Sequence, residues 1–228
     1  MSKSEETLVL KLSGSLFFSE EYGKVTKAIT GALQQRSQIR VVLVAGGGAK
    51  AREYIDVASK VGADQTTLDE IGIMTSRINA MILATSMGEF SETNVPETLR
   101  ELLQSLKQNR AVAIGGLHPG QSTNAVGALV AEKTKARRFI NATDVDGVYN
   151  KDPRKFKDAQ RIDRISIGEL EEIIGGESMQ AGHYDLMDPV ALKLVERSKT
   201  STWIIKCVSK RIESALLGER VGGTEIVF

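Results

Sequence analysis

The sequence predicts a three-layer α/β domain, with helices on both faces of a mainly parallel central sheet. Three observations predict it: short apolar runs recur along the chain, helical segments lie between them, and glycine-bearing turns follow several of the runs. At 228 residues the chain is long enough for one well-buried core and short for two ordinary domains, so residues 1–228 read as a single unit.

The runs are Thr7–Leu12, Val41–Ala45, Ala111–Gly115, Phe139–Ala142, Thr202–Ile205 and Glu225–Phe228. They are rich in Val, Ile and Leu and barely alternate, as strands covered on both faces do. Between the first two, Ser19 is expected to cap a helix with Glu20 and Glu21 in its first turn and Tyr22, Val25, Ile29 and Leu33 on one face. Pro96 is expected to open another, with Leu99, Leu102, Leu103 and Leu106 as its core stripe. The stretch from Ala63 to Ser86 reads as a helix that is unusually polar inside its pattern, carrying Asp69, Arg77 and Asn79. Those residues either solvate a surface helix or line a site.

Bulk composition excludes several classes. Hydrophobic residues make up 41% and charged residues 26%, a globular balance. Lys plus Arg (30) nearly cancels Asp plus Glu (29), so no global field draws in nucleic acid or an anionic membrane. The lone Cys207 makes no internal disulfide and fits a reducing compartment. A polar start, Met1–Thr7, and no apolar run near the roughly 20 residues of a spanning helix argue for a cytoplasmic protein outside the membrane.

In open α/β sheets ligands sit beyond the carboxyl ends of the strands. Four successive ends stand out: Lys11-Leu12-Ser13-Gly14-Ser15, Gly46-Gly47-Gly48-Ala49, the stretch Gly115 to Thr123, and the stretch Ala142 to Tyr149. Glycine after a strand lets backbone N–H groups approach a phosphate, and a following helix start adds a favourable dipole. Gly115-x-x-x-x-Gly120-Gln121-Ser122 has P-loop spacing but puts Gln where the Walker lysine belongs, so the chain is no P-loop NTPase. Gly120, Gln121, Ser122 and Thr123 could still cradle a monophosphate. Phosphoryl transfer needs a cation near the moving group. Lys11, inside an apolar strand, is the obvious one, and Arg52 is a second. Asp144, Asp146 and Asp152 offer carboxylates for Mg²⁺ or for orienting a lysine, or are turn formers. His118 and His183 say little, and no G-x-S-x-G, H-E-x-x-H or paired-cysteine motif supports a hydrolase or zinc site.

These motifs resemble those of the amino-acid kinase family, and within it the archaeal UMP kinases. The matching pieces are Lys11-x-Ser13-Gly14, Gly46-Gly47-Gly48 with Ala51-Arg52-x-Tyr54, Leu68-Asp69-x-x-Gly72-Ile73 running on to Ser76-Arg77-x-Asn79-Ala80, Pro119 to Thr123, Ala142-Thr143-x-Val145-Asp146-Gly147-Val148-Tyr149-x-Lys151-Asp152-Pro153, and Asp188-Pro189-x-Ala191. The resemblance implies the amino-acid kinase fold, ATP as donor, Mg²⁺ as metal, UMP as acceptor, a role in pyrimidine nucleotide biosynthesis and a homohexamer. By position it implies that Lys11, Ser13, Gly14, Ser15, Gly48 and Arg52 face the ATP phosphates, that Thr143, Tyr149 and Asp152 hold the adenosine part, and that Asp144 also belongs to the ATP site. Gly47, Asp69 and the loop Leu117, His118, Pro119, Gly120, Gln121, Ser122, Thr123 would hold UMP, and Asp146 would stand beside the phosphoryl path. Two positions depart from the pattern: Ser15 stands where relatives often keep a lysine, and Asp144 where they often keep Asn or Lys. Acetylglutamate, carbamate and isopentenyl phosphate kinases of the same fold are rival readings, as is a non-catalytic molybdate or tungstate storage protein.

Overall fold

Each of the six apolar runs is a strand. The computed structural model describes residues 5–151, 153, 156–175, 186–219 and 221–228. The strands of the main sheet are β1 (Glu6–Leu12), β2 (Ile39–Ala45), β3 (Ala111–Ile114), β4 (Arg138–Thr143), β7 (Arg164–Ser166), β8 (Thr202–Lys206) and β9 (Thr224–Val227). Their spatial order is β3-β2-β1-β4-β8-β9-β7. The first five in that order are mutually parallel, β9 runs antiparallel to β8, and β7 pairs parallel to β9. The short β5 (Val148–Tyr149) and β6 (Arg161–Ile162) form a separate antiparallel ribbon.

Period-2 alternation sends one set of side chains to each face. Val9, Val42, Val44, Val112, Ile114, Phe139, Ile204 and Ile226 enter one apolar cluster, and Leu8, Leu10, Leu12, Val41, Leu43, Ile140, Ala142 and Ile205 enter the other. The first cluster is closed by α4 (Leu99–Gln108), α5 (Thr123–Thr134), α6 (Ile167–Gly175) and α7 (Pro189–Ser198). The second is closed by α1 (Tyr22–Gln35), α3 (Gln65–Ser86) and α8 (Ser209–Leu217). Helix α2 (Gly48–Lys60) packs along α3. This is the three-layer arrangement that the recurring runs predict.

Two helix starts differ from expectation. Ser19 does not cap α1: it ends a 3₁₀ turn over Gly14–Phe18, its hydroxyl donates to the Leu16 carbonyl at 2.8 Å, and α1 begins after Glu21. The Val25, Ile29 and Leu33 stripe is fully buried, as expected. Pro96 does not open α4 either. Thr98 does, by accepting from the Glu101 N–H at 3.2 Å, the hydroxyl cap a helix start needs. Among the described residues no helix is long and apolar enough to cross a membrane.

Candidate active site

Because β1, β2, β3 and β4 are parallel neighbours, their carboxyl ends lie on one edge, and so do the four loops marked in the sequence. The first two loops interlock. A Cβ on Gly14 would stand 2.1 Å from the Gly48 nitrogen and 2.4 Å from its Cα, so backbone packs on backbone with no room for a side chain. Gly48 has φ +69°, in the left-handed region that favours glycine. The Gly46 N–H donates to the Leu12 carbonyl at 3.1 Å and the Ser13 N–H to the Ala142 carbonyl at 3.0 Å, tying three strand ends into one floor.

Lys11 rises from this floor. It is 9% exposed, lies in register between Val44 and Asn141, and projects on the α5 side of the sheet. An ammonium group placed so deep is costly unless something anionic meets it. At the same edge, the Asp144 carboxylate accepts from the Ser13 hydroxyl at 2.9 Å and the Ser15 hydroxyl at 2.6 Å. The two departures from the family pattern are thus direct partners: a serine and an aspartate hydrogen-bonded to each other. Arg52 is exposed on the first turns of α2.

The polar residues of α3 hydrogen-bond to the backbones of two of the marked loops and do not merely solvate a surface helix. Asn79, 3% exposed, donates to the Gly46 carbonyl at 2.8 Å. Ser76 accepts from the Gly116 N–H at 2.7 Å, and the Arg77 guanidinium donates to the Gly116 carbonyl at 3.2 Å. Asp69 accepts from the Gly120 N–H at 2.8 Å, and its other oxygen accepts from the Gln65 amide at 3.0 Å. One helix therefore holds both the second glycine loop and the loop Leu117 to Thr123. In that loop His118, Pro119, Gly120 and Ser122 are exposed, whereas the Leu117 side chain is buried in the core, leaving only its backbone for a ligand. Ser122 caps α5 through the Ala125 N–H at 3.0 Å and its hydroxyl donates to Asp188, which caps α7 through the Val190 and Ala191 N–H groups.

Thr143 ends β4, nearly buried, and Asp146 turns away to a ribbon-side pair. The Tyr149 hydroxyl donates to Asp146 at 2.6 Å and Arg161 donates at 3.4 Å. Burial pushes the Asp146 carboxyl up, but the Tyr149 hydrogen bond, its own backbone N–H and the charges of Arg161 and Lys206 outweigh it, so the group is held below its ordinary value. Asp152 and His183 fall outside the described residues. Burial pushes the Cys207 thiol up to about 12, which leaves it protonated and inert.

A family model described as "Amino acid kinase family" matches residues 6–206. The chain belongs to that family. Among curated members, the uridylate kinase of Sulfolobus acidocaldarius is 37% identical over 224 residues, covering 96% of this chain and 98% of the relative. That of Methanobrevibacter smithii is 35% identical, covering 94% of this chain and 96% of the relative. The crystal structure of uridylate kinase from Archaeoglobus fulgidus superposes with a TM-score of 0.86 at 40% identity, covering 96% of this chain and 99% of that one. A UMP kinase structure from Ureaplasma parvum, at 18% identity and TM-score 0.78, shares the amino-acid kinase fold.

The site also shows what sequence reasoning missed. Asp188 was visible only as part of a motif, and its hydrogen bond to Ser122 joins residues 66 apart in the chain. Asn79 was visible as a polar residue inside an apolar helix pattern and as part of a motif. Its use as a hook on Gly46 needed the fold.

Proposed function

We propose that this amino-acid kinase family member transfers a phosphoryl group from ATP to UMP, giving ADP and UDP, as a cytoplasmic enzyme of pyrimidine nucleotide synthesis acting as one unit over residues 1–228. One observation carries this reading: the Gly14–Gly48 floor with buried Lys11 faces the Asp69-pinned loop 117–123 along a single sheet edge. The family's uridylate kinases, matched over nearly their whole length, supply the acceptor.

The chemistry follows from the groups. ATP phosphates lie against the interlocked Gly14 and Gly48 turns, whose backbone-on-backbone contact leaves no side chain in the way. Lys11 faces the developing charge on the moving phosphoryl group, in a poorly hydrated site where its attraction is strong. Thr143 and Tyr149 flank the adenosine, and Asp146 fixes the Tyr149 hydroxyl. Asp69, through Gly120, holds the acceptor loop so that Ser122, Thr123 and the α5 start meet the UMP phosphate. Mg²⁺ fits the donor set: oxygen ligands from Asp144, Ser13 and Ser15 suit a hard cation, and among the described residues no group of three or more His, Cys, Asp or Glu could hold a metal alone. Held there by Asp144, Ser13 and Ser15, such an ion would supply charge neutralisation for the transferring group.

Asp69→Ala frees the Gly120 loop and is expected to raise the KM for UMP about tenfold or more while leaving the KM for ATP within about twofold, as steady-state kinetics would show. Equal shifts in both constants would remove the assignment. The substrate reading itself is tested by ADP formation from ATP·Mg²⁺ with UMP, CMP, AMP, acetylglutamate and isopentenyl phosphate in parallel. Turnover restricted to UMP supports it; turnover with acetylglutamate or isopentenyl phosphate instead refutes it.

The working form is a homo-oligomer. Met74, Ile78, Met81 and Ile82 make an exposed apolar stripe on α3, Tyr54, Val57 and Val61 are exposed on the neighbouring α2, and apolar surface of this kind needs a cover. A second copy of the same face supplies one by two-fold symmetry. Ile78→Glu is expected to halve, or reduce further, the mass seen by sedimentation; an unchanged mass would place the interface elsewhere.

A further inference from the structure

We propose that Lys206 is the second cation for the ATP phosphate chain, taking the part left open by Ser15. This rests on the donor reading above. Lys206 is the last residue of β8, in register with Thr143 at the end of β4. The Cys207 N–H donates to the Thr143 carbonyl at 2.8 Å, so the ladder continues past Lys206 and fixes its backbone. Alternation then sets its direction. Ile204 enters the cluster on the α5 side, and the same face receives Phe139 of β4 and Val9 of β1. Lys206, Thr143 and Lys11 follow at even spacing and therefore rise on that same face.

The spacing suits a bridging polyphosphate. Lys11 and Lys206 stand on strands separated only by β4, about 10 Å across the sheet, with Lys206 two residues further toward the carboxyl edge. Two flexible lysine stems so placed flank the end of β4, where Thr143 lies, with the Gly14 turn directly beyond the β1 end that carries Lys11. Lys206 is exposed and has no ion-pair partner among the described residues, so its charge is available to a ligand. It is also felt on the nucleotide side: against the opposing push of burial, it is one of the charges holding Asp146 below its ordinary value. A compact ammonium on a long stem is the form in which P-loop proteins also present charge to phosphate.

The test is equilibrium binding to the full-length protein without UMP, by calorimetry, for ATP·Mg²⁺ and for adenosine. Lys206→Gln is expected to weaken ATP about tenfold while adenosine changes less than about twofold, and the loss should shrink as salt rises from low to high concentration. Lys206→Arg should restore most of the ATP affinity. A solvated surface lysine, or one that only stabilises the strand end, would leave ATP and adenosine affinity unchanged or shift both together, and either result overturns the proposal. Failure of the unsubstituted protein to bind ATP would instead overturn the donor reading itself.

Discussion

Lys11→Ala is expected to lower kcat for UMP phosphorylation by about 10²–10³-fold or more, with the circular dichroism spectrum unchanged. The expectation follows from where the ammonium stands. Its strand pairs on both sides, with Val44 and Asn141, so the Cα cannot drift toward or away from the phosphates. Its stem is packed under α5, where Gly127 leaves only 3.6 Å between a would-be Cβ and the Lys11 Cβ. The charge is thus pre-positioned, and no reorganisation is needed as negative charge develops on the transferring group. Arg52, exposed on α2, cannot take over a buried point charge. A variant with near-normal kcat would end the assigned role.

Gly14→Ala is expected to cost about 1–3 kcal/mol of stability, a fall of roughly 2–12 °C in Tm for a chain of this size, and to abolish detectable ATP binding. The added methyl would meet the Gly48 nitrogen at 2.1 Å and the Gly47 carbonyl carbon at 2.8 Å. Both are backbone, and both belong to a loop held from behind by Asn79. The two phosphate loops must separate, which destroys the floor and strains the fold together. Gly23→Ala is the control. Nothing lies within 4 Å of a Cβ there, and in helix α1 the change should be neutral or stabilising by up to about 1 kcal/mol. Thermal unfolding and ATP titration of the two variants separate a specific contact from a general intolerance of alanine. Equal behaviour would contradict the interlocked floor.

Much of this architecture was legible because parallel strands buried on both faces leave dense Val, Ile and Leu runs. The six runs were long enough to show that. β5, β6 and β7 span only two or three residues and carry no pattern, and their pairing is set by tertiary contacts such as the Thr224 hydroxyl that accepts from the Val148 N–H at 2.8 Å. The direction of β9 was unreadable for the same reason: composition does not distinguish parallel from antiparallel pairing at a sheet edge. Cap positions slipped by two residues at both Ser19 and Pro96, where several polar or turn-forming residues compete and tertiary packing decides among them.

In the site, the glycine loops and Lys11 were visible because each breaks a local rule, glycine in clusters and a charge inside a strand. Partnerships across the chain were not. Asp144 is 131 residues from Ser13, and no spacing rule links them. The same holds for Asp69 with Gly120 and for Ser122 with Asp188. The polarity of α3 signalled that something was there, and its hydrogen bonds to Gly46, Gly116 and Gly120 identify it as the beam on which both loops are hung.

The central claim is that the phosphoryl group passes from ATP to UMP across one sheet edge. The most direct measurement is a quenched single turnover with ATP labelled in its γ-phosphoryl group, UMP and Mg²⁺, followed by separation of the nucleotides. The account predicts that label leaves ATP and appears in UDP at the rate of ADP formation. Label appearing as inorganic phosphate, or remaining in bound ATP, would contradict it.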